Sequence, residues 1–309
     1  MERLRDAGEV PELGGTRYTV LEEVGRGGMG VVYAARDEQL ERRVALKVLD
    51  AAGGGELAER LVREARVLAR LEHPGIVPVH DVGTLADGRV FYAMKFVEGQ
   101  RLDRYLESVA SMPDRLRIFL RICDAVAFAH TRAVLHRDIK PANVMVGPFG
   151  EVLVMDWGLA KILADSEVSG ADAGDGAGAA AGTGHGRVLG TPGYMSPEQA
   201  RGDVVDARCD IFSLGALLRF VAGKSRMERA LAAICDKACA AEREGRYASV
   251  PELTADVSRY LDGLAVGAYR ENILERAARF YRRYRFFILL IAAYLLVRVM
   301  LVLFYRHPG

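Results

Sequence analysis

The stretch that decides the fold is His136-Arg137-Asp138-Ile139-Lys140-Pro141-Ala142-Asn143. It sets a carboxylate, a lysine and an amide on one short loop directly behind an apolar, helix-patterned run over residues 113–131. Just beyond it, the hydrophobic strand of residues 152–155 ends in Asp156-Trp157-Gly158, a second carboxylate followed by a glycine suited to a sharp turn. Asn and Asp oxygens are what a hard Mg2+ ion takes, and the other Asp is then free to orient a hydroxyl.

Toward the N-terminus, Gly25-x-Gly27-x-x-Gly30-x-Val32 lies between two strand-like runs. A dinucleotide fingerprint would need a helix straight after the third glycine, and here the β-branched Val31-Val32 continues as strand. The spacing therefore reads as a hairpin. Either its small residues let backbone amides approach phosphates, or it is an ordinary glycine-rich turn in a chain with 33 glycines. Val44-Ala45-Leu46-Lys47 then buries a lysine in an apolar strand, and a buried ammonium calls for a counter-charge. The helical pattern of residues 56–71 offers Glu64, which at about 100° per residue falls inside the stripe of Leu57, Leu61 and Leu68. An inward Glu and an inward Lys in neighbouring elements read as one ion pair; an edge-of-face Glu is the alternative.

The remaining features bound the class of protein. The chain has 309 residues, half of them apolar and 27% charged, enough for about two domains with a real core. Lys and Arg number 42 against 41 Asp and Glu, a net charge of +1 that argues against a nucleic-acid binder. The four cysteines form no CxxC pair; Cys235 and Cys239, four apart on a helical pattern, read as packing residues of a reducing compartment. Residues 1–15 are charged and glycine-dotted, a loose tail rather than a signal peptide. Residues 169–186 are nearly all Gly, Ala and Asp and read as a flexible loop. Ser249 followed by Glu252 has the spacing of a capping box opening a helix over 250–261. Residues 286–304 form a 19-residue apolar run with one charge, Arg298, behind Arg276, Arg279, Arg282, Arg283 and Arg285. At 1.5 Å per residue its length is close to the hydrocarbon thickness of a bilayer. Five residues follow Phe304, which leaves no room in this sequence for a sensor domain beyond the span.

Taken in order, the glycine loop, VALK, the helix Glu, HRDIKPAN, DWG, Gly190-Thr191-Pro192-Gly193-Tyr194-Met195-Ser196-Pro197-Glu198, Asp210-Ile211-Phe212 and Arg246 resemble the eukaryotic-like (Hanks-type) bacterial serine/threonine protein kinases. The resemblance covers residues 18–262. It implies an α+β, two-lobed protein-kinase fold: a small antiparallel-sheet lobe with one helix, a larger mostly helical lobe, and then a transmembrane helix. It implies that Gly25, Gly27, Gly28 and Gly30 cover the ATP phosphates, that Lys47 holds the α- and β-phosphates, and that Glu64 fixes Lys47. Asp138 steers the substrate hydroxyl, Lys140 lies near the γ-phosphate, and Asn143 and Asp156 hold Mg2+. Val24, Val32, Ala45 and Met145 match the adenine sandwich, Met94 the residue behind it, and Lys95 to Val97 the hinge. Glu198 and Arg246 match a buried structural ion pair. Arg137 before the catalytic Asp implies regulation by a phosphate on the following loop, with Thr183 as its expected site and Thr191 bonding Asp138 or Lys140.

On this reading residues 1–15 are tail, 16–98 the N-lobe, 99–263 the C-lobe with its activation segment at 156–198, 264–285 a basic juxtamembrane helix, 286–304 the span and 305–309 a short tail. The departures are Trp157 for the usual Phe, Ser196 for the usual Ala, and a shortened region at 220–228 where the family carries a substrate-docking helix. The expected protein is a membrane-anchored, cytoplasm-facing enzyme that uses ATP and Mg2+ to phosphorylate Ser/Thr on proteins. Self-association for trans-autophosphorylation goes with it, and nucleic acid does not. The alternatives are a pseudokinase or nucleotide-binding scaffold with impaired docking, and a small-molecule kinase. Every phosphate, metal and base position is filled, which favours the enzyme over the first. The Gly190-to-Glu198 segment argues against the second.

Overall fold

The computed structural model describes residues 11, 13–27, 30–49, 56–157, 193–223 and 227–306. Gly28, Glu64's side chain, the 169–186 loop, Thr183 and Thr191 lie outside the described residues.

Five strands make the first sheet: β1 (Tyr18–Gly27), β2 (Gly30–Asp37), β3 (Arg42–Leu49), β4 (Val79–Thr84) and β5 (Val90–Lys95). They run antiparallel in the order β1-β2-β3-β5-β4, with helix α1 (Glu56–Ala69) between β3 and β4 in sequence. The alternation of a pleated strand divides β3 between two cores. Val44, Leu46 and Val48 pack with Tyr18, Val31, Tyr33 and Phe91, while Ala45 and Leu49 pack with Tyr92, Met94 and Leu153. Lys47 shares the second face, the one turned toward the other lobe. Gly30 is required where it stands: its φ is +143°, and a Cβ there would lie 2.1 Å from the Val48 carbonyl oxygen. Leu13 packs against the first core and Thr16 N–H bonds the Leu13 carbonyl, so order begins earlier than the expected 15-residue tail allows.

The second lobe holds a small sheet of β6 (Gln100–Arg101), β7 (Val144–Val146) and β8 (Val152–Val154), with α2 (Leu102–Ser108) and α3 (Met112–His130). Then come α4 (Pro197–Arg201), α5 (Arg208–Ala222), α6 (Arg229–Ala238), α7 (Val250–Leu261) and α8 (Ile273–Arg306). Ser111 caps α3 by accepting from Asp114 N–H at 3.4 Å. The buried face of α3 (Leu116, Phe119, Ile122, Val126) meets Ile211, Leu214 and Leu218 of α5 and Leu253 and Val257 of α7. Helices α5 and α6 touch closely because Gly215 has no side chain; a Cβ there would lie 2.6 Å from Ala238 Cβ. Cys123, Cys209 and Cys235 are buried in the lobe, and Cys239 caps the end of α6.

Two expectations need correction. The Ser249–Glu252 capping box does not form: Ser249 makes no side-chain cap, and Glu252 reaches past it to the Ala248 N–H at 3.1 Å. Pro251 in that first turn has no N–H to cap. The capping box that does form joins Ser196 and Gln199 at α4. The juxtamembrane helix starts at Ile273 rather than at 264. Residues 262–272 are instead a connector held to the lobe by the buried Asp256, which accepts from Gly267 N–H at 2.7 Å, Ala268 N–H at 2.9 Å and the Tyr247 hydroxyl at 3.0 Å. From Ile273 one helix continues through the apolar run.

At the shortened region α5 ends at Ala222 and α6 begins at Arg229, and residues 224–226 lie outside the described set. Arg115 closes the exposed end of α5. Its guanidinium donates to the Val109, Leu106 and Val221 carbonyls at 2.6, 2.8 and 3.3 Å, tying the α2–α3 junction to α5.

Candidate active site

The antiparallel register puts Gly25 beside Val32, Val32 beside Lys47, and Lys47 beside Tyr92, one row across four strands. Ala45 pairs with Met94 in the neighbouring row. Ala45 and Met94 are buried, Val32 and Val97 are partly buried on the same face, and Val24 is exposed on β1. Met145 pairs with Leu153 in the small sheet opposite. The β-strand alternation thus gathers Val32, Ala45 and Met94 on one face of the sheet.

Lys47 crosses to the second lobe, where its Nζ donates to Asp156 Oδ1 at 2.6 Å. Tyr92 lies opposite Lys47 in the strand register, on the neighbouring strand β5. Burial pulls the lysine's pKa down, but Tyr92 and Asp156 more than offset this and leave it raised. Burial likewise pushes the Asp156 carboxyl up, and the Lys47 charge and hydrogen bond outweigh it and hold it below the usual range. Lysinium and carboxylate are both present at neutral pH.

The loop of residues 136–143 is fixed from three sides. Asp210, fully buried at the start of α5, accepts from the His136 and Arg137 N–H groups at 2.8 and 2.7 Å and takes a third contact from His130 Nε2 at 2.8 Å. Burial drives the Asp210 carboxyl up, yet these partners bring it below normal, so it stays ionised. The His136 ring is neutral, because burial lowers its pKa. Its Nδ1 accepts from Asp138 N–H at 3.2 Å, which leaves Nε2–H to donate to the Met155 carbonyl at 2.9 Å. Trp157 packs against that ring at a tilt of 46°, with centroids 4.7 Å apart, and its own buried N–H finds the Val154 carbonyl at 3.1 Å. The departure at 157 therefore supports the loop rather than merely filling space.

Asn143 Nδ2 donates to the Asp138 carbonyl oxygen and to Asp138 Oδ2, both at 2.9 Å, and Lys140 Nζ lies 2.8 Å from the same Oδ2. With its nitrogen committed to Asp138, the Asn143 amide offers its carbonyl oxygen as the remaining donor atom, alongside the Asp156 carboxylate. That is an all-oxygen set of the kind a hard divalent cation takes, so these residues fit Mg2+. On α4, Glu198 and Arg246 meet in a buried two-pronged pair, Nη1 to Oε1 at 2.6 Å and Nη2 to Oε2 at 2.8 Å. The guanidinium also donates to the Ala240, Ala241 and Arg208 carbonyls. Burial raises the Glu198 pKa, but its Arg246 and backbone bonds bring it down to about 2.

The protein kinase domain family matches residues 18–253. The chain belongs to that family. Within it, the chain is 33% identical over 295 residues to the serine/threonine-protein kinase PknD of Protochlamydia amoebophila, covering 80% of this chain and 30% of that protein. It is 33% identical over 296 residues to PknD of Chlamydia felis, 80% and 31% of the two chains. To PknD of Chlamydia trachomatis serovar D it is 38% identical over 226 residues, 65% and 24%. The chain thus spans about a third or less of the length of these relatives.

Of the residues the motifs single out, the fold brings Lys47, Asp138, Lys140, Asn143 and Asp156 together, and Glu198 to Arg246. Tyr92 and the role of Asp210 are new. Tyr92 carries no motif, and its only signal is its place opposite Lys47 in the strand register. Asp210 was visible as a motif residue, but nothing local says that its carboxylate reaches back 74 residues to His136.

Proposed function

We propose that this kinase domain transfers the γ-phosphoryl group of ATP to serine or threonine hydroxyls of proteins, itself included, from the cytoplasmic face of a membrane. The observation that supports it is the pair of contact sets Lys47–Asp156 and Lys140–Asp138–Asn143, in which one lysine of the sheet lobe meets the helical lobe that carries both carboxylates and the second lysine. Lys47 meets the charge of the α- and β-phosphates, and the Gly25–Gly30 hairpin covers them. Asp138 accepts the hydrogen bond of the substrate hydroxyl, orients its lone pair toward phosphorus and takes its proton. Lys140 offsets charge gathering on the transferred group. Asn143 and Asp156 would hold Mg2+, which when bound neutralises phosphate charge. No covalent intermediate is needed; positioning and electrostatics do the chemistry.

The membrane part of the proposal rests on the Arg283–Leu301 stretch of α8, 19 residues long and with none of it buried against the rest of the chain. The arginines before it satisfy the positive-inside bias. Phosphate on Thr183, read by Arg137, is the regulatory part. Mass spectrometry of active protein with Thr183 unmodified would remove that part.

The test is incubation of the full chain in detergent with γ-labelled ATP and Mg2+, followed by phosphosite mapping. Label on serine or threonine is the expected result. Nucleotide binding without transfer would make the chain the scaffold that its shortened helical lobe also allows.

A further inference from the structure

Among the described residues, Arg137 is one of four non-glycine residues with positive φ, at +63°. An arginine there stores backbone strain and needs its two flanking peptides held. The peptide before it is held by Asp210, which takes the Arg137 N–H. The peptide after it carries Asp138. Its N–H goes to His136, and its carbonyl, that of Arg137, accepts from Gln199 Nε2 at 3.0 Å. Gln199 stands on the one-turn helix α4, beside the Glu198 that binds Arg246. The carboxamide cannot flip without loss: its Oε1 already accepts from the Ser196 N–H at 3.3 Å and the Ser196 hydroxyl at 3.1 Å, leaving only the nitrogen to face Arg137. Ser196 is fully buried.

We propose that Gln199 is a positioning residue for phosphoryl transfer. Its amide N–H locks the Arg137–Asp138 peptide and so aims the Asp138 carboxylate, with Ser196 holding the amide in register. The end of the activation segment is thereby coupled to the base through two side chains. This inference rests on the kinase reading above.

The test uses the full chain and compares wild type with Gln199→Met, which keeps length and bulk but removes both hydrogen-bonding ends, and with Ser196→Ala, which keeps Gln199 but removes one of its two holders. Steady-state kinetics, binding of a fluorescent ATP analogue and thermal unfolding are read together. Misplacing a base by a fraction of an ångström predicts a ~10- to 100-fold fall in kcat for Gln199→Met, with the ATP KM and nucleotide affinity within about twofold and the midpoint of unfolding nearly unmoved. Ser196→Ala is expected to lie between wild type and Gln199→Met in kcat. A kcat for Gln199→Met within about twofold of wild type overturns the proposal. So does a joint fall of kcat, nucleotide affinity and melting temperature, the mark of a merely structural contact. Should Gln199→Met not fold, Ser196→Ala decides: an unchanged kcat in that variant overturns the proposal. A wild-type chain that transfers no phosphate would instead remove the kinase reading itself.

Discussion

Two residues of the site, Arg137 and Asp156, sit at left-handed φ values of +63° and +56°. Aspartate tolerates that region better than most side chains, and arginine does not. The strain persists because Asp210, Gln199 and Lys47 over-determine the local geometry. At this scale chemistry and folding separate cleanly. Lys47→Met, Asp138→Asn and Asp156→Asn each remove a charge from the partly buried cleft between the lobes and leave the apolar cores intact. Each variant is expected to lose ~100-fold or more in kcat while circular dichroism and the melting midpoint stay close to wild type. Turnover near wild type in any of them would show that its assigned role is wrong.

Among elements, α4 does more than its single turn suggests. Glu198 anchors it to Arg246, on the segment between α6 and α7. The Glu198 carboxyl titrates at about 2 in the folded chain against 4.5 for a free Glu. The unfolded chain therefore binds the proton first as pH falls, and the stabilisation, complete above pH 4.5, is lost between there and pH 2. Its size is on the order of 3 kcal/mol. Urea titrations at pH 6 and pH 3.5 should show the loss in wild type and a smaller one in Glu198→Gln. Residues 267 and 268 of the connector are likewise held by a carboxylate, that of Asp256. Asp256→Ala strips the partner from the Gly267 and Ala268 N–H groups, which are only partly buried, and from the buried Tyr247 hydroxyl, and is expected to cost about 2 kcal/mol. Thermal unfolding would measure that cost, and kcat of the folded fraction should not change, because Asp256 touches no residue of the site.

For the whole molecule, α8 leaves the connector as one continuous helix, and Glu275 near its start takes the Tyr269 hydroxyl at 3.0 Å and Arg229 of α6 at 3.2 Å. The apolar run thus leaves the helical lobe from an anchored base. Arg298 would cost roughly 2.5–3.5 kcal/mol at the bilayer centre, but it lies six residues before Phe304 and can snorkel to the far interface. Full-length protein is expected to stay in the membrane pellet through carbonate and high salt. Release by either would leave α8 as a surface-bound or partner-bound helix.

Much of this was legible in the chain before any coordinates. The Gly25–Gly30 hairpin, the strand around Lys47, the long helix behind His136 and the apolar run at 286–304 are all written in local periodicity, turn residues and length, which depend on near neighbours alone. The motif order then named the family and the residues proposed for the site. The partners were not legible. That Lys47 would reach Asp156, 109 residues away, and lie opposite Tyr92 in the sheet, or that Asp210 and Gln199 would grip the two peptides flanking Arg137, is set by how strands register and helices stack. Ser249 and Glu252 have the spacing of a capping box and do not form one, while Ser196 and Gln199 do. Spacing offers a hydrogen bond, but the packed backbone decides which donor faces which acceptor.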